Sequence, residues 1–349
     1  LLIAIFLVTA ASTALYTLGR LRPEFIENVY RPFSRLALYW ISYAASFVPF
    51  SVAEILIYIA AACALVAAVR LVYVMITGPR RIFYLLKFVL WATLIAAVFC
   101  LFFYLLWGLN YNAEPLEIVP GVKERETGRL VELNEHLSEQ ANYYSLQIER
   151  DGDGNPAEQD FAELAQKVAQ CFSGYTGRNE FPVKYILASK YLSYMRISGI
   201  FIPYTGEANI NRNNIPSDLP FCMAHEMAHR YAIAREAEAN FFSFYVLKSS
   251  DDPFLAYSAY LAAIRYCQNA LFNADYGEFV RVYGRCNDYV KSDLMQYGSH
   301  WDKYDGKLAD ISYNLNDIYL TLQGESDGAA SYNSMVDYML AWFDSAGIQ

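Results

Sequence analysis

Charge is scarce in this chain of 349 residues: Asp, Glu, Lys and Arg together make up 18%, against 55% hydrophobic residues. That balance excludes an intrinsically disordered chain, which needs high charge and few large apolar side chains. With a mean hydropathy of +0.15 it is also too apolar for an ordinary soluble enzyme. Cysteine is limited to six residues, with no C-x-x-C pair and no zinc-knuckle spacing, so nothing suggests a thiolate-built metal site. Cys222 reads as a small buried hydrophobe, and a Cys267–Cys286 disulfide is open but unsupported by any framework. No internal repeat and no low-complexity tract occurs, which leaves a folded, non-repetitive protein. Histidine is the scarcest of all these, at four residues, and two of the four fall in one motif.

What charge there is divides unevenly. Residues 1–108 hold eight basic and three acidic side chains, whereas the rest holds nineteen basic and thirty-three acidic ones. A basic apolar front and an acidic rear imply a membrane anchor over 1–108 followed by a water-exposed domain over 109–349. The acidic rear excludes nucleic acid as a natural partner and leaves the lipid bilayer as the first one.

Three stretches are apolar for about the ~20 residues a bilayer crossing needs, at about 1–19, 51–76 and 84–107. The first lacks a small-residue cleavage site and is followed by further spans, so it reads as a span rather than a signal peptide. Between it and the second, residues 20–50 mix Arg with Tyr39-Trp40, as an interfacial helix does, and Pro49 ends it. The tight basic turn at Arg80-Arg81 places the link between the second and third spans in the cytoplasm. Three spans then put 109–349 outside, as the extracytoplasmic part of a multi-pass cell-membrane protein.

Beyond residue 109 the pattern is mainly helical, with helices at 126–150, 161–172, 237–247, 252–272, 276–297, 308–322 and 332–343. Asp151-Gly152-Asp153-Gly154-Asn155 begins like a calcium loop, but Pro156 and Ala162 stand where Gly and Glu are needed, so it reads as an Asx turn. The segments 182–187 and 199–211 are more extended, and Pro203 and Gly206 demote the latter to an edge strand. An edge strand can receive an extended peptide as an added strand, which points to Gly206, Glu207, Ala208 and Asn209. The alternative is a strand that only closes the sheet.

The two motif histidines are His225 and His229 in Phe221-Cys222-Met223-Ala224-His225-Glu226-Met227-Ala228-His229. Residues four apart share a helix face, so both imidazoles can reach one metal ion, with Glu226 beside them as general base toward a metal-activated water. Ser217 is a suitable N-cap, Asp218 suits the helix dipole, and Pro220 is tolerated in the first turn. The flanking residues are apolar or small, so the helix is embedded in a core, where unpartnered histidines would be costly.

A third ligand follows within Arg235-Glu236-Ala237-Glu238-Ala239-Asn240. On one continuous helix Glu236 would lie about 10 Å along the axis from His229, too far for ~2 Å metal bonds. The chain must therefore turn sharply within Arg230-Tyr231-Ala232-Ile233-Ala234, and a positive φ at Ala232 would be strained. Geometry leaves both Glu236 and Glu238 open. Tyr332 and His300 are candidate donors to a substrate oxyanion.

Taken together, Trp107-Gly108-Leu109-Asn110-Tyr111, Pro203-Tyr204-Thr205-Gly206-Glu207-Ala208-Asn209-Ile210-Asn211, the H-E-x-x-H stretch, Arg235 to Asn240 and Ser331-Tyr332 resemble a bacterial family of membrane-anchored proteins, the domain of unknown function family 3810. One departure is Ala232, where Gly is expected after the second histidine. The resemblance implies a zinc-peptidase-like protein over nearly the whole chain. Glu236-Ala237-Glu238-Ala239-Asn240 also resembles the third-ligand helix of Glu-type zinc peptidases, which puts the ligand at Glu236 and a partner for a zinc-bound imidazole at Asn240.

The expected fold is mainly α: transmembrane helices, then a mostly helical, zincin-like α+β domain with a small sheet and an H-E-x-x-H helix. The expected function is a membrane-anchored zinc metallopeptidase acting on a peptide or protein substrate, with Zn2+ as cofactor. The competing expectation is a metal-stabilised membrane receptor or assembly module without turnover.

Overall fold

The computed structural model describes residues 1–116, 126–325, 328 and 334–347. The chain forms two compact units, one of Leu1–Glu114 with Ile202–Glu207, the other of Pro115–Phe201 with Ala208–Gln349.

The first unit holds α1 (Leu2–Leu21), α2 (Arg31–Ser46), α3 (Val52–Thr77) and α4 (Arg81–Leu106). Three of these, α1, α3 and α4, are long and apolar enough to cross a membrane. At 26 residues each, α3 and α4 extend about 39 Å at 1.5 Å per residue, enough for a ~30 Å hydrocarbon core. Most of their apolar side chains are exposed, and α4 buries none of its residues completely. Helices apolar on every face and unburied by protein are suited to lipid.

The helical run leading through α2 is different. Its inward residues Ile26, Tyr30, Ser34, Leu38 and Ser42 recur every fourth position, one stripe of an amphipathic helix. The Tyr30 hydroxyl donates to the Tyr104 carbonyl at 2.7 Å and Ser34 Oγ to the Leu106 carbonyl at 2.6 Å. Those carbonyls belong to the last turn of α4, where no intrahelical donor remains. Gly108 follows that turn because a Cβ there would lie 2.4 Å from the Phe103 ring.

Ile202–Glu207 belongs to this unit through polar anchors. The Tyr204 hydroxyl donates to the Phe99 carbonyl at 2.9 Å, and Ser42 Oγ to the Gly206 carbonyl at 2.8 Å. The Glu207 carboxylate accepts from the amides of Val52 at 3.0 Å and Ala53 at 2.7 Å, a charge set on the positive N-terminus of α3.

The second unit contains α5 (Thr127–Ser145), α6 (Phe161–Thr176), β1 (Lys184–Ile186), α7 (Ser189–Tyr194), β2 (Gly199–Ile202) apart from its last residue, β3 (Glu207–Asn211) apart from its first, α8 (Leu219–Arg230), α9 (Glu236–Leu247), α10 (Pro253–Ala274), α11 (Tyr276–Arg285), α12 (Asp288–Asp302), α13 (Lys307–Gln323) and α14 (Met335–Ser345). The 276–297 helix of the sequence reading is two helices. Cys286, in an extended conformation, ends the first, and Asn287 caps the second, accepting from the Val290 amide at 2.9 Å. Asp151 accepts from the amides of Asp153 and Asn155, each at 2.9 Å, which makes the acidic loop an Asx turn. Cys267 and Cys286 are free thiols.

The core gathers Phe172, Phe241, Phe242, Phe244 and Tyr257 around α8, α9 and α10. The small sheet runs β1-β3-β2, with β3 parallel to β1 and buried at all five positions. That order corrects the substrate-strand expectation. Ala208 and Asn209 lie on the central strand, whose two edges are already occupied by β1 and β2. Gly206 is a turn residue at φ +62, and Glu207 is committed to α3. The outer strand beside β3 is β2.

Candidate metal centre

The site begins with the way α8 ends. Its C-terminus is closed by the Ile233 amide on the Ala228 carbonyl at 3.1 Å and the Ala232 amide on the His229 carbonyl at 2.9 Å. This nested pair is a Schellman turn, which places Ala232 in the left-handed region at φ +63. The strain foreseen for that residue is present, at roughly 1–2 kcal/mol for a Cβ in this conformation. The turn reverses the chain so that α9 starts at Glu236 with its first-turn carboxylates beside the end of α8.

Ser217 does not cap α8: its hydroxyl is buried without a hydrogen bond, and a short turn at Pro216–Asp218 leads into the helix instead. Asp218 accepts from the Arg265 guanidinium at 2.5 Å and from the Cys222 thiol at 3.1 Å. The Phe221 amide donates to Ser258 Oγ of α10 at 3.1 Å. The first turn of α8 is thus held by α10 rather than by its own cap.

Three ligand atoms converge at the other end. Glu236 Oε2 lies 3.1 Å from His225 Nε2 and 3.5 Å from His229 Nε2, and each of the three residues offers an atom within 4.8 Å of the others. The opposite ring nitrogens are spoken for. His225 Nδ1 donates to Asn240 Oδ1 and His229 Nδ1 to the Ile233 carbonyl, both at 2.8 Å. With the proton on Nδ1, each Nε2 presents a lone pair. Glu236 Oε2 is buried and accepts no hydrogen bond. Three acceptors therefore face one point, an arrangement that calls for a cation. Tetrahedral Zn2+ with bonds of ~2.05 Å would separate its ligands by about 3.3 Å, a value between the two Glu236–imidazole distances.

Without a cation the group behaves as an ion pair. Burial alone would depress the His229 pKa, but the Glu236 carboxylate outweighs it and lifts it to about 9. Against the burial that would raise it, the two imidazoles hold the Glu236 carboxyl well below the usual carboxylate range.

Glu226 stands apart from this ligand group. It is buried, and desolvation raises its pKa even though both imidazoles and the Phe201 amide favour its anion. β2 closes over it. A Cβ on Gly199 would lie 2.6 Å from Glu226 Cγ and 2.8 Å from its Oε1, so only glycine fits there. Sequence reasoning missed this residue. The one available signal was a glycine opening an otherwise apolar strand.

Glu238, the other possible third ligand, is directed elsewhere. It accepts from Arg235 at 2.7 Å and from the Tyr338 hydroxyl at 3.0 Å, two partners the sequence did not connect to the site. His300 sits on α12 with its ring 5.0 Å from that of Trp301 and 5.5 Å from that of Tyr304, and is not one of the metal-capable group. Tyr332 lies outside the described residues.

A family model described as a protein of unknown function, DUF3810, matches residues 25–340. Neither a curated protein nor a solved structure matches the chain.

Proposed function

On the premise that the chain belongs to the DUF3810 family, whose match covers nearly all of it, we propose that it is a membrane-anchored zinc metallopeptidase. The observation that carries this reading is the convergence of three lone pairs, from His225, His229 and Glu236, beside a separate buried carboxylate, Glu226. A purely structural metal site needs the first three and has no use for the fourth.

In this reading His225, His229 and Glu236 hold Zn2+, which when bound supplies Lewis-acid activation of a water and of the peptide carbonyl. Asn240 and the Ile233 carbonyl fix the two imidazoles in the tautomer that leaves Nε2 free. Glu226 takes one proton from the attacking water as the C–O bond forms. It delivers that proton to the leaving nitrogen as the C–N bond breaks, so the carboxylate is regenerated and a carboxylic acid and an amine leave. A raised Glu226 pKa suits a group that must both accept and return a proton near neutral pH. An extended peptide is received alongside β2, the outer strand next to Glu226. The domain over 109–349 lies on the extracytoplasmic side, following the basic turn at Arg80-Arg81.

Glu226→Gln tests the assignment, because it removes the base and no ligand. The purified full-length variant should keep stoichiometric zinc and lose hydrolysis of a peptide library read by mass spectrometry, by at least about 100-fold on the scale of a lost general base. Equal cleavage by variant and wild type would discard the general-base role. Zinc retention in both, with no cleavage by either, would favour the non-catalytic membrane module.

A further inference from the structure

The exposed face of α13 carries Leu308, Ile311, Leu315, Ile318 and Leu322, each between 54% and 65% exposed. Their spacing alternates three and four residues, the 3.5-residue repeat of a helix–helix seam rather than the wider stripe of a helix lying on its own core. That core contact is supplied by Ala309 and Leu320 on another side of the same helix. α13 therefore has a second, aliphatic face that the described residues of its own unit leave uncovered.

We infer that this face pairs with the same face of a second copy of this chain. The positions flanking the seam are Lys307 at its first turn and then Ser312, Asn314, Tyr319 and Thr321, which are uncharged, so beyond the first turn two identical copies meet without like-charge repulsion. A bilayer surface is a poorer occupant. Interfacial helices flank their apolar stripe with Lys and Arg, whereas α13 carries one Lys at its start and two Asp, Asp310 and Asp317. Taking full exposure of Leu or Ile as about 200 Å², pairing two such seams would bury about 1,100 Å² in total, just past the ~1,000 Å² that marks a specific interface. Such a marginal area suits a protein with candidate membrane spans, because two copies in one bilayer meet at a raised effective concentration.

The test uses full-length protein. Leu315→Cys in native membranes, under mild oxidation, should give a disulfide-linked band at twice the chain mass. Tyr313→Cys, exposed on another side of the helix, should not. In detergent, Leu315→Glu with Ile318→Glu should weaken self-association at least tenfold by mass photometry while thermal stability stays at the wild-type value. The idea is overturned if neither cysteine variant yields the dimer band, or if both do equally. It is also overturned if Leu315→Cys cross-links to a different protein, or if a bilayer-soluble maleimide labels it in place of dimer formation. A dimer that survives the double Glu substitution would place the interface elsewhere.

Discussion

Two apolar helices of similar length, α4 and α10, use the same side-chain types for opposite ends. α4 buries none of its residues, whereas α10 buries Leu, Ile, Tyr and Ala side chains along most of its length. The difference lies in their polar residues. Between Phe88 and Tyr104, α4 offers only the Trp91 indole N–H, Thr93 and Cys100 as side-chain polar atoms. Three polar residues of α10 are instead tied to neighbouring elements. Ser258 accepts from the Phe221 amide, Arg265 pairs with Asp218, and Gln268 reaches Cys286 Sγ at 3.6 Å. A helix facing lipid does best with no polar partner. A helix in a protein core can carry polar groups if each is satisfied, and those groups can then fix another element in place. Here the element fixed is α8, the helix that carries the two histidines of the metal-capable group.

The most severe break in this pattern of satisfied burial is Glu236→Ala, which leaves two imidazoles and no anionic ligand. Zinc content should fall from about one per chain to near zero. The zinc-dependent stabilisation should vanish, about 3–4 kcal/mol when free zinc exceeds its dissociation constant by 100- to 1,000-fold. Glu238→Ala should lose stability, because Arg235 and Tyr338 lose their shared acceptor, yet keep its zinc. Metal analysis giving the reverse order would transfer the ligand role to Glu238. Next in size is Ile95→Arg, near the middle of α4, where a charge costs about 2.5–3.5 kcal/mol on insertion scales. The fraction of α4 inserted in a membrane-integration assay should drop sharply. Wild-type insertion would mean that this face of α4 does not meet lipid.

How much of this was legible in the chain depends on the range of the interaction. The three long apolar helices and the H-E-x-x-H helix follow from local periodicity, which sequence displays directly. The reversal after His229 was forced by arithmetic, since a straight helix cannot bring Glu236 to the histidines. Strand order was not legible. Pro203 and Gly206 signalled a break, but whether β2 or β3 lies at the edge depends on the parallel pairing of β3 with β1, more than twenty residues away in sequence. The Ser217 cap failed because Ser258 and Arg265, on another helix, supply the partners that hold the start of α8. Gly199 was invisible for the same reason: its requirement for glycine is set by Glu226, a residue on another element.

The smallest effect is expected at Ala232, and it tests whether the turn itself places the third ligand. Replacing Ala232 by Gly relieves about 1–2 kcal/mol of left-handed strain. Against this, glycine adds unfolded-state entropy costing roughly 0.5–1 kcal/mol. The buried methyl, fully shielded from solvent, gives up a further ~0.8 kcal/mol. These contributions nearly cancel, so Ala232→Gly should change stability by less than about 1 kcal/mol, or roughly 2–4 °C in melting temperature for a unit of this size. Its zinc affinity should match wild type, because the Schellman hydrogen bonds use only the backbone. Ala232→Val has no such balance. A β-branched side chain at positive φ is a strong outlier, and the buried position has no room for it, so the turn must open and Glu236 must move. Zinc titration of the pair decides the matter. If valine binds zinc as tightly as alanine does, the left-handed turn is not what brings Glu236 to the histidines.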